Sequence, residues 1–280
     1  MTRILMTGVT GYIGGAVLTR FAQRPDFNSF DIRAVVRSAE KGEKIQALYK
    51  NVTPIVGSHS DISLMSKAAA EVGVVIAMAD SDSIEAATGT LQGLKKEFER
   101  TGRKPIFINT SGTGVLSDNA VGMYASETIW DDADSDQMAS LKPTQRHRPV
   151  DLKIVAADEE VADLYSIVFD AVQSPKGPGH GREGYYFGAN QEHTLYEVGQ
   201  GISDIMHKRN TGNGGEPTTF TKEEVGKRPR SAILMGSNSR CRPTRSRALG
   251  WAPKLTTKDM IASLYAETEL VLELAKLDKP

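Results

Sequence analysis

The chain has 280 residues, 39% of them hydrophobic and 25% charged, and its 34 Lys and Arg against 35 Asp and Glu leave a net charge of −1. That length and apolar content suffice for a full core, while the balanced charge argues against a general polyanion-binding role, nucleic acid included. The single cysteine, Cys241, excludes an intramolecular disulfide, which suits a reducing compartment.

Ile4, Leu5 and Met6 open the chain as a strand and run at once into TGVTGYIGG. Gly8, Gly11 and Gly14 follow one another at intervals of three. Without Cβ atoms at these positions the backbone turns sharply, lets a pyrophosphate approach and packs the next helix closely on the strand. The N–H groups of that helix then face the anion. The helix, predicted over residues 11–24, carries Val17, Leu18 and Phe21 on one side. Strand patterns recur at residues 32–36, 53–56, 74–79 and 106–109, and helical patterns at 40–50, 63–71 and 83–101. Such alternation predicts right-handed crossovers and a parallel sheet that binds ligands at the carboxyl ends of its strands.

A polar stretch follows over residues 117–148, with Asp131, Asp132, Asp134 and Asp136 in one acidic run. With no His or Cys beside them these carboxylates read as a solvated loop rather than a metal site. A long helical pattern then spans residues 150–172, until Ser174, Pro175, Gly177, Pro178 and Gly179 stop it. Beyond it the chain reads as a short strand at 185–187, a helix at 195–207, a Gly-rich loop at 210–215 and a helix at 257–276. The expected fold is therefore α/β, a Rossmann-like doubly wound parallel sheet over residues 1–172 with a smaller C-terminal α+β lobe over 173–280. Because the opening strand leaves no room for a signal peptide and no apolar run reaches the roughly 18 residues of a membrane span, a cytoplasmic protein is expected.

The end of the second strand discriminates between cofactors, since an acid there would bond the ribose 2′-hydroxyl of NAD. This sequence instead has Arg37 and Ser38, with Lys41 and Lys44 close behind. A guanidinium pairs with a 2′-phosphate and stacks on adenine, so NADP(H) is favoured over NAD(H). The alternative, a solvated arginine at a strand end, leaves dinucleotide binding intact but unspecific.

The segments TGVTGYIGG, GSHSDI (residues 57–62), VVIAMAD (74–80) and IFINTSGTG (106–114) resemble the extended short-chain dehydrogenase/reductase family, the epimerase/dehydratase-like proteins, and most closely their fungal NAD(P)-binding members. Later stretches, VADLY at 161–165, GREGYYFG at 181–188 and SRALGWAP at 246–253, are similar to that family's C-terminal landmarks. By this resemblance Thr7, Gly8, Gly11, Tyr12, Ile13 and Gly14 hold the pyrophosphate, Asp61 and Ile62 meet the adenine edge, and the strand end from Ala77 to Ala79 lines the cofactor. Asp61 equally suits a helix cap ahead of Leu64.

Two departures accompany the resemblance. The family's chemistry rests on a Tyr with a Lys four residues later, and none of the eight tyrosines here has one; Tyr124 is followed by Thr128. Without that cation a phenol with a pKa near about 10 is a poor proton relay at neutral pH. Ser111 and Thr113 can still polarise a carbonyl, and Tyr124 can act as an acid only beside another cation. The second departure lies at Glu160, which runs straight into Val161 where relatives have a sixth strand and a substrate-binding insertion. A continuous helix in a minimal variant and a missing segment of several dozen residues both fit the sequence.

Arg240, Arg242, Arg245 and Arg247 surround Cys241. They read either as a phosphate grip, as in sugar-nucleotide epimerases of this architecture, or as a solvated surface, the favoured alternative. The five histidines, His59, His147, His180, His193 and His207, have no metal spacing, so no metal site is expected. Cys241 is expected to be a packed thiol. The leading expectation is an atypical NADP-binding oxidoreductase acting on CH–OH or C=O groups of a small molecule, with Ser111, Thr113 and Tyr124 nearest the chemistry and with self-association through an uncovered sheet edge. A non-catalytic dinucleotide-binding regulator of the NmrA-like kind is the alternative, and a nucleotide-sugar epimerase or dehydratase the third.

Overall fold

In the computed structural model residues 2–160, 179–211 and 214–277 are described. Five strands form one sheet, β1 (Thr2–Thr7), β2 (Phe30–Val36), β3 (Val52–Val56), β4 (Val74–Ala77) and β5 (Ile106–Asn109), all parallel and ordered β3-β2-β1-β4-β5. Between them run α1 (Tyr12–Phe21), α2 (Ala39–Leu48), α3 (Ile62–Ala69) and α4 (Ile84–Thr101). The period of two along β1 divides the core. Ile4 and Met6 join Ile32, Ala34, Val52 and Ile76 under Leu18 of α1 and Ile45 of α2. Leu5 points the other way, with Val35, Val75 and Phe107, against Met65 and Ala68 of α3, Ala87 and Leu94 of α4, and Val150 and Ile154 further along the chain. Strands covered on both faces are why these runs are continuously apolar instead of alternating.

The chain divides into two compact units, Met1–Val115 with Asp134–Tyr185, and Leu116–Ala133 with Tyr186–Pro280. After β5, β6 (Trp130–Asp131) belongs to the second unit, and α5 (Ser135–Ala139) and α6 (Arg148–Glu160) return to the first. The second unit continues with α7 (Leu195–Lys208), α8 (Lys222–Lys227), α9 (Pro229–Gly236), β7 (Cys241–Arg242), α10 (Thr244–Ala248) and α11 (Thr257–Leu277). Both the expected boundary at 172/173 and the junction of Glu160 with Val161 involve residues outside the described ones, as does the second half of the predicted helix at 150–172.

Two expectations are corrected. No strand forms at residues 185–187; instead β6 pairs in parallel with β7, Trp130 opposite Cys241. The acidic run is not a solvated loop throughout. Asp132 is 1% exposed and accepts from the backbone N–H groups of Phe187 at 2.9 Å, Arg245 at 2.6 Å and Ser246 at 3.2 Å, and from Ser246 Oγ at 3.0 Å. Those donors lie more than fifty residues away in sequence, so no local pattern reveals them. Asp134 caps α5 through Gln137 N–H.

Candidate functional site

The glycine turn lies at the carboxyl end of β1, at the centre of the sheet, where the strand order reverses direction. Gly8 has φ +76, and a Cβ there would sit 2.5 Å from the Met78 carbonyl oxygen. A Cβ on Gly14 would collide with the Gly8 carbonyl. Gly11 donates its N–H to Gly8 O at 2.9 Å, and a Cβ on it would meet nothing nearer than Gly8 O at 3.3 Å. Two of the glycines thus close the turn, and at the third a Cβ would have one tight neighbour, the Gly8 carbonyl oxygen. Thr7 ties the turn to the end of β4 by accepting the Met78 N–H at 3.2 Å.

The helix that follows has no side-chain cap and no acid in its first turn, and its N-cap is Gly11. By contrast α2 is capped by Ser38, α3 by Asp61 and α4 by Ser83. The positive end of α1 is therefore left for an anion beside a backbone that no side chain fills. Tyr12, Ile13 and Val17 are exposed around it, Tyr12 by 81%. Arg37 stands exposed just past β2, with no hydrogen bond or ion pair to a described residue. Asp61 Oδ1 accepts the Leu64 N–H at 3.0 Å, the capping role that was one of its two readings. Ile62 opens α3, 38% exposed, Ala77 ends β4 half-buried and Ala79 is exposed beyond it.

Ser111 and Thr113 lie in the turn that leaves β5, and Thr113 is exposed. Tyr124 belongs to the second unit and is 57% exposed, and its carbonyl accepts from Asn238 Nδ2. The three residues expected nearest the chemistry are thus divided between the two units.

What gathers at Ser111 is a set of groups to which no role was assigned from sequence. Ser111 Oγ donates to Asp151 Oδ2 at 3.1 Å. Burial pushes Asp151 up to about 6, although the Ser111 hydrogen bond and the charges of Arg148 and His147 favour its ionised form. Arg148 is 4% exposed; its Nη1 donates to Tyr185 Oη at 2.6 Å, while its buried Nε has no partner. Burial and the Asp151 charge push Tyr185 up to about 12. His147 is 7% exposed, with Nδ1 2.7 Å from Asp82 Oδ1. Burial opposes ionisation of Asp82, but its bond to His147 and the His147 and Arg146 charges outweigh that and hold the carboxyl below its usual range. The sequence signal was HRPVD at residues 147–151, three charged types at helical spacing where a solvated helix start would ordinarily be read.

The arginine cluster makes its bonds within the second unit, with Arg242 and Arg247 exposed to solvent. Arg240 forks onto Glu192 at 2.8 and 3.1 Å and bonds Ser126 O, Arg245 bonds Asp132 O, and Arg247 bonds Asn190. Cys241 is half-buried, and burial with the Asp132 and Glu192 charges pushes its thiol up, away from the reactive thiolate. Among the described residues no group of three or more His, Cys, Asp or Glu is placed to hold a metal ion, and no helix is long and apolar enough to cross a membrane.

Residues 1–93, which hold the glycine turn and four of the five strands, match the model of the NmrA-like family. The chain is similar in structure to the dTDP-glucose 4,6-dehydratase of Bacillus anthracis, solved in complex with NAD, with TM-score 0.61 and 15% identity over 96% of this chain and 97% of that one. The chain has a Rossmann-like fold, a parallel sheet flanked by helices. Vestitone reductase from alfalfa has a similar structure, at TM-score 0.50 and 13% identity over 96% of this chain and 99% of that one. Oxidase ucsJ of an Acremonium species is 29% identical over 115 residues, 41% of this chain. That match spans only 32% of the oxidase's length.

Proposed function

We propose that the chain binds NADP(H) and acts as an atypical oxidoreductase on the CH–OH or C=O group of a small molecule. One observation carries the binding half: α1 opens uncapped against a backbone cradle whose turn is closed at Gly8 and Gly14, where a Cβ would strike neighbouring backbone. That cradle fits a pyrophosphate, held by the turn from Thr7 to Gly14. Asp61, Ile62, Ala77 and Ala79 would line the adenine and ribose side. The exposed Arg37 supports a 2′-phosphate, hence NADP(H) over NAD(H). The bound nicotinamide supplies or accepts hydride.

Buried ionisable groups at the carboxyl ends of β4 and β5 support chemistry rather than binding alone. Asp151, His147 and Arg148 are each more than nine-tenths buried, a costly arrangement that clusters at functional sites. A second reading, an NmrA-like dinucleotide-binding regulator without turnover, is favoured by the missing lysine four residues after any tyrosine. Calorimetric titration with NADPH and NADH, followed by cofactor oxidation assays over aldehydes and ketones, separates the two. NADPH binding with turnover is the expected result. Binding without turnover of any carbonyl leaves the regulator, and no binding of either dinucleotide rejects both.

A further inference from the structure

The turn after β5 has two glycines where an imidazole lies. A Cβ on Gly112 would come within 2.7 Å of His147 Nε2, and one on Gly114 within 3.1 Å of the same atom. On the other side of the ring Nδ1 is 2.7 Å from Asp82 Oδ1 and 3.0 Å from Ser81 Oγ, and the His147 backbone N–H donates to Asp82 at 3.1 Å. An ionised carboxylate only accepts, so Nδ1 carries the proton of the neutral ring and Nε2 keeps its lone pair. No described residue bonds Nε2, and the two glycines of the turn leave beside it the space that a Cβ would take.

The backbone at this residue is held at φ +66, a region that L side chains rarely adopt. Three segments fix it there: the loop from β4 to α4, the turn leaving β5 and the start of α6. Such an outlier persists only where its surroundings over-determine it, and such residues cluster at working sites. The charged groups that face the ring from these segments are Asp82, Arg146, Arg148 and Asp151.

We propose that His147 is the proton donor and acceptor of this site, standing in for the tyrosine and lysine pair that the sequence lacks, with Asp82 as its positioning residue. The inference rests on the oxidoreductase reading above. In the reducing direction hydride supplied by NADPH forms the new C–H bond at the carbonyl carbon. The π pair of the C=O bond takes the Nε2 proton of the charged ring to form O–H, the ring is left neutral, and a solvent proton restores it. In the oxidising direction neutral Nε2 accepts the hydroxyl proton as hydride leaves for NADP+.

The test uses the full chain with 15N-labelled histidine, the His147 ring signals being assigned by their loss in His147→Asn. Asparagine tolerates positive φ and keeps a short amide within reach of Asp82, so this variant preserves the turn while removing Nε2. The expected results are an Nδ1–H tautomer in the free protein and a shift of the Nε2 resonance at saturating NADPH. In His147→Asn, NADPH affinity should stay within about twofold while carbonyl turnover falls about 10²- to 10⁴-fold, the usual contribution of a positioned acid or base. NADPH bound with Nε2 unmoved overturns the proposal, as does His147→Asn turnover equal to the parent's. No NADPH binding by the parent instead sinks the underlying reading, so the two failures are distinguishable.

Discussion

The Ser111 hydroxyl donates to the Asp151 carboxylate across 3.1 Å, joining the turn that leaves β5 to the first turn of α6. Ser111 is one of the three residues the sequence places nearest the chemistry, with Thr113 and Tyr124, and Asp151 is buried beside it. The consequence is a pH-dependent stability term. An ordinary carboxyl titrates near about 3.9 in the unfolded chain, whereas Asp151 in the fold titrates at about 6. Between those values the folded protein binds the extra proton, so stability from this group is full below about 4 and falls as pH rises through about 6.

Asp151→Asn removes that titration while keeping an acceptor for Ser111. Relative to the parent it should gain stability on going from pH 4 to pH 7, by at most about 3 kcal/mol for a shift of roughly two pKa units. Thermal unfolding of both proteins from pH 4 to 8 checks this, and parallel pH profiles would refute it.

Gly11 and Gly14 should respond differently to substitution. A side chain on Gly11 projects into the cradle, with the Gly8 carbonyl oxygen its one tight neighbour, so Gly11→Val should fold with a melting temperature near the parent's and lose NADPH binding. Gly14→Ala would drive a Cβ into the Gly8 carbonyl, and it should lose both binding and a few degrees of melting temperature. Calorimetry alongside thermal unfolding reads the split, and NADPH binding at parental affinity in Gly11→Val would be decisive against the cradle.

Arg37 is exposed, so Arg37→Ala should leave stability unchanged. Its effect belongs to cofactor choice: a charge-assisted bond to a 2′-phosphate contributes roughly 1.5 to 3 kcal/mol, about tenfold or more in affinity. The variant should lose that preference for NADPH while NADH affinity stays constant. Equal Kd values for the two cofactors in the parent would reject the assignment.

Asp132 should act on the second unit alone. Asp132→Ala leaves the N–H groups of Phe187, Arg245 and Ser246 without their acceptor, and about 3 kcal/mol or more of that unit's stability should be lost. Urea unfolding with Trp130 and Trp251 fluorescence, both in that unit, reports the change. An unchanged midpoint would show that the carboxylate is dispensable.

The sequence by itself determined the sheet and the glycine turn. Alternation of apolar runs with amphipathic helices, and three glycines directly after the first strand, depend on neighbours a few residues away. Their physics is therefore written locally, and β5 forms over the residues its pattern named. Even the helix caps at Ser38, Asp61 and Ser83 are local, each bonding an N–H three residues on.

Only the tertiary structure decided which polar residues are buried and what they meet. His147 and Asp82 are 65 residues apart, Ser111 and Asp151 40, and Asp132 and Ser246 114. Nothing in the composition around His147 or Asp132 distinguishes a buried hydrogen-bonded group from a solvated one, because the compensating donors and acceptors arrive from distant segments. The acidic run and the arginine cluster accordingly read as solvent-facing charge. Folding turns Asp132 into a buried acceptor, makes Arg240 and Arg245 crosslinks of the second unit, and brings HRPVD to the carboxyl edge of the sheet, since burying such groups is tolerable only where the chain closes partners around them.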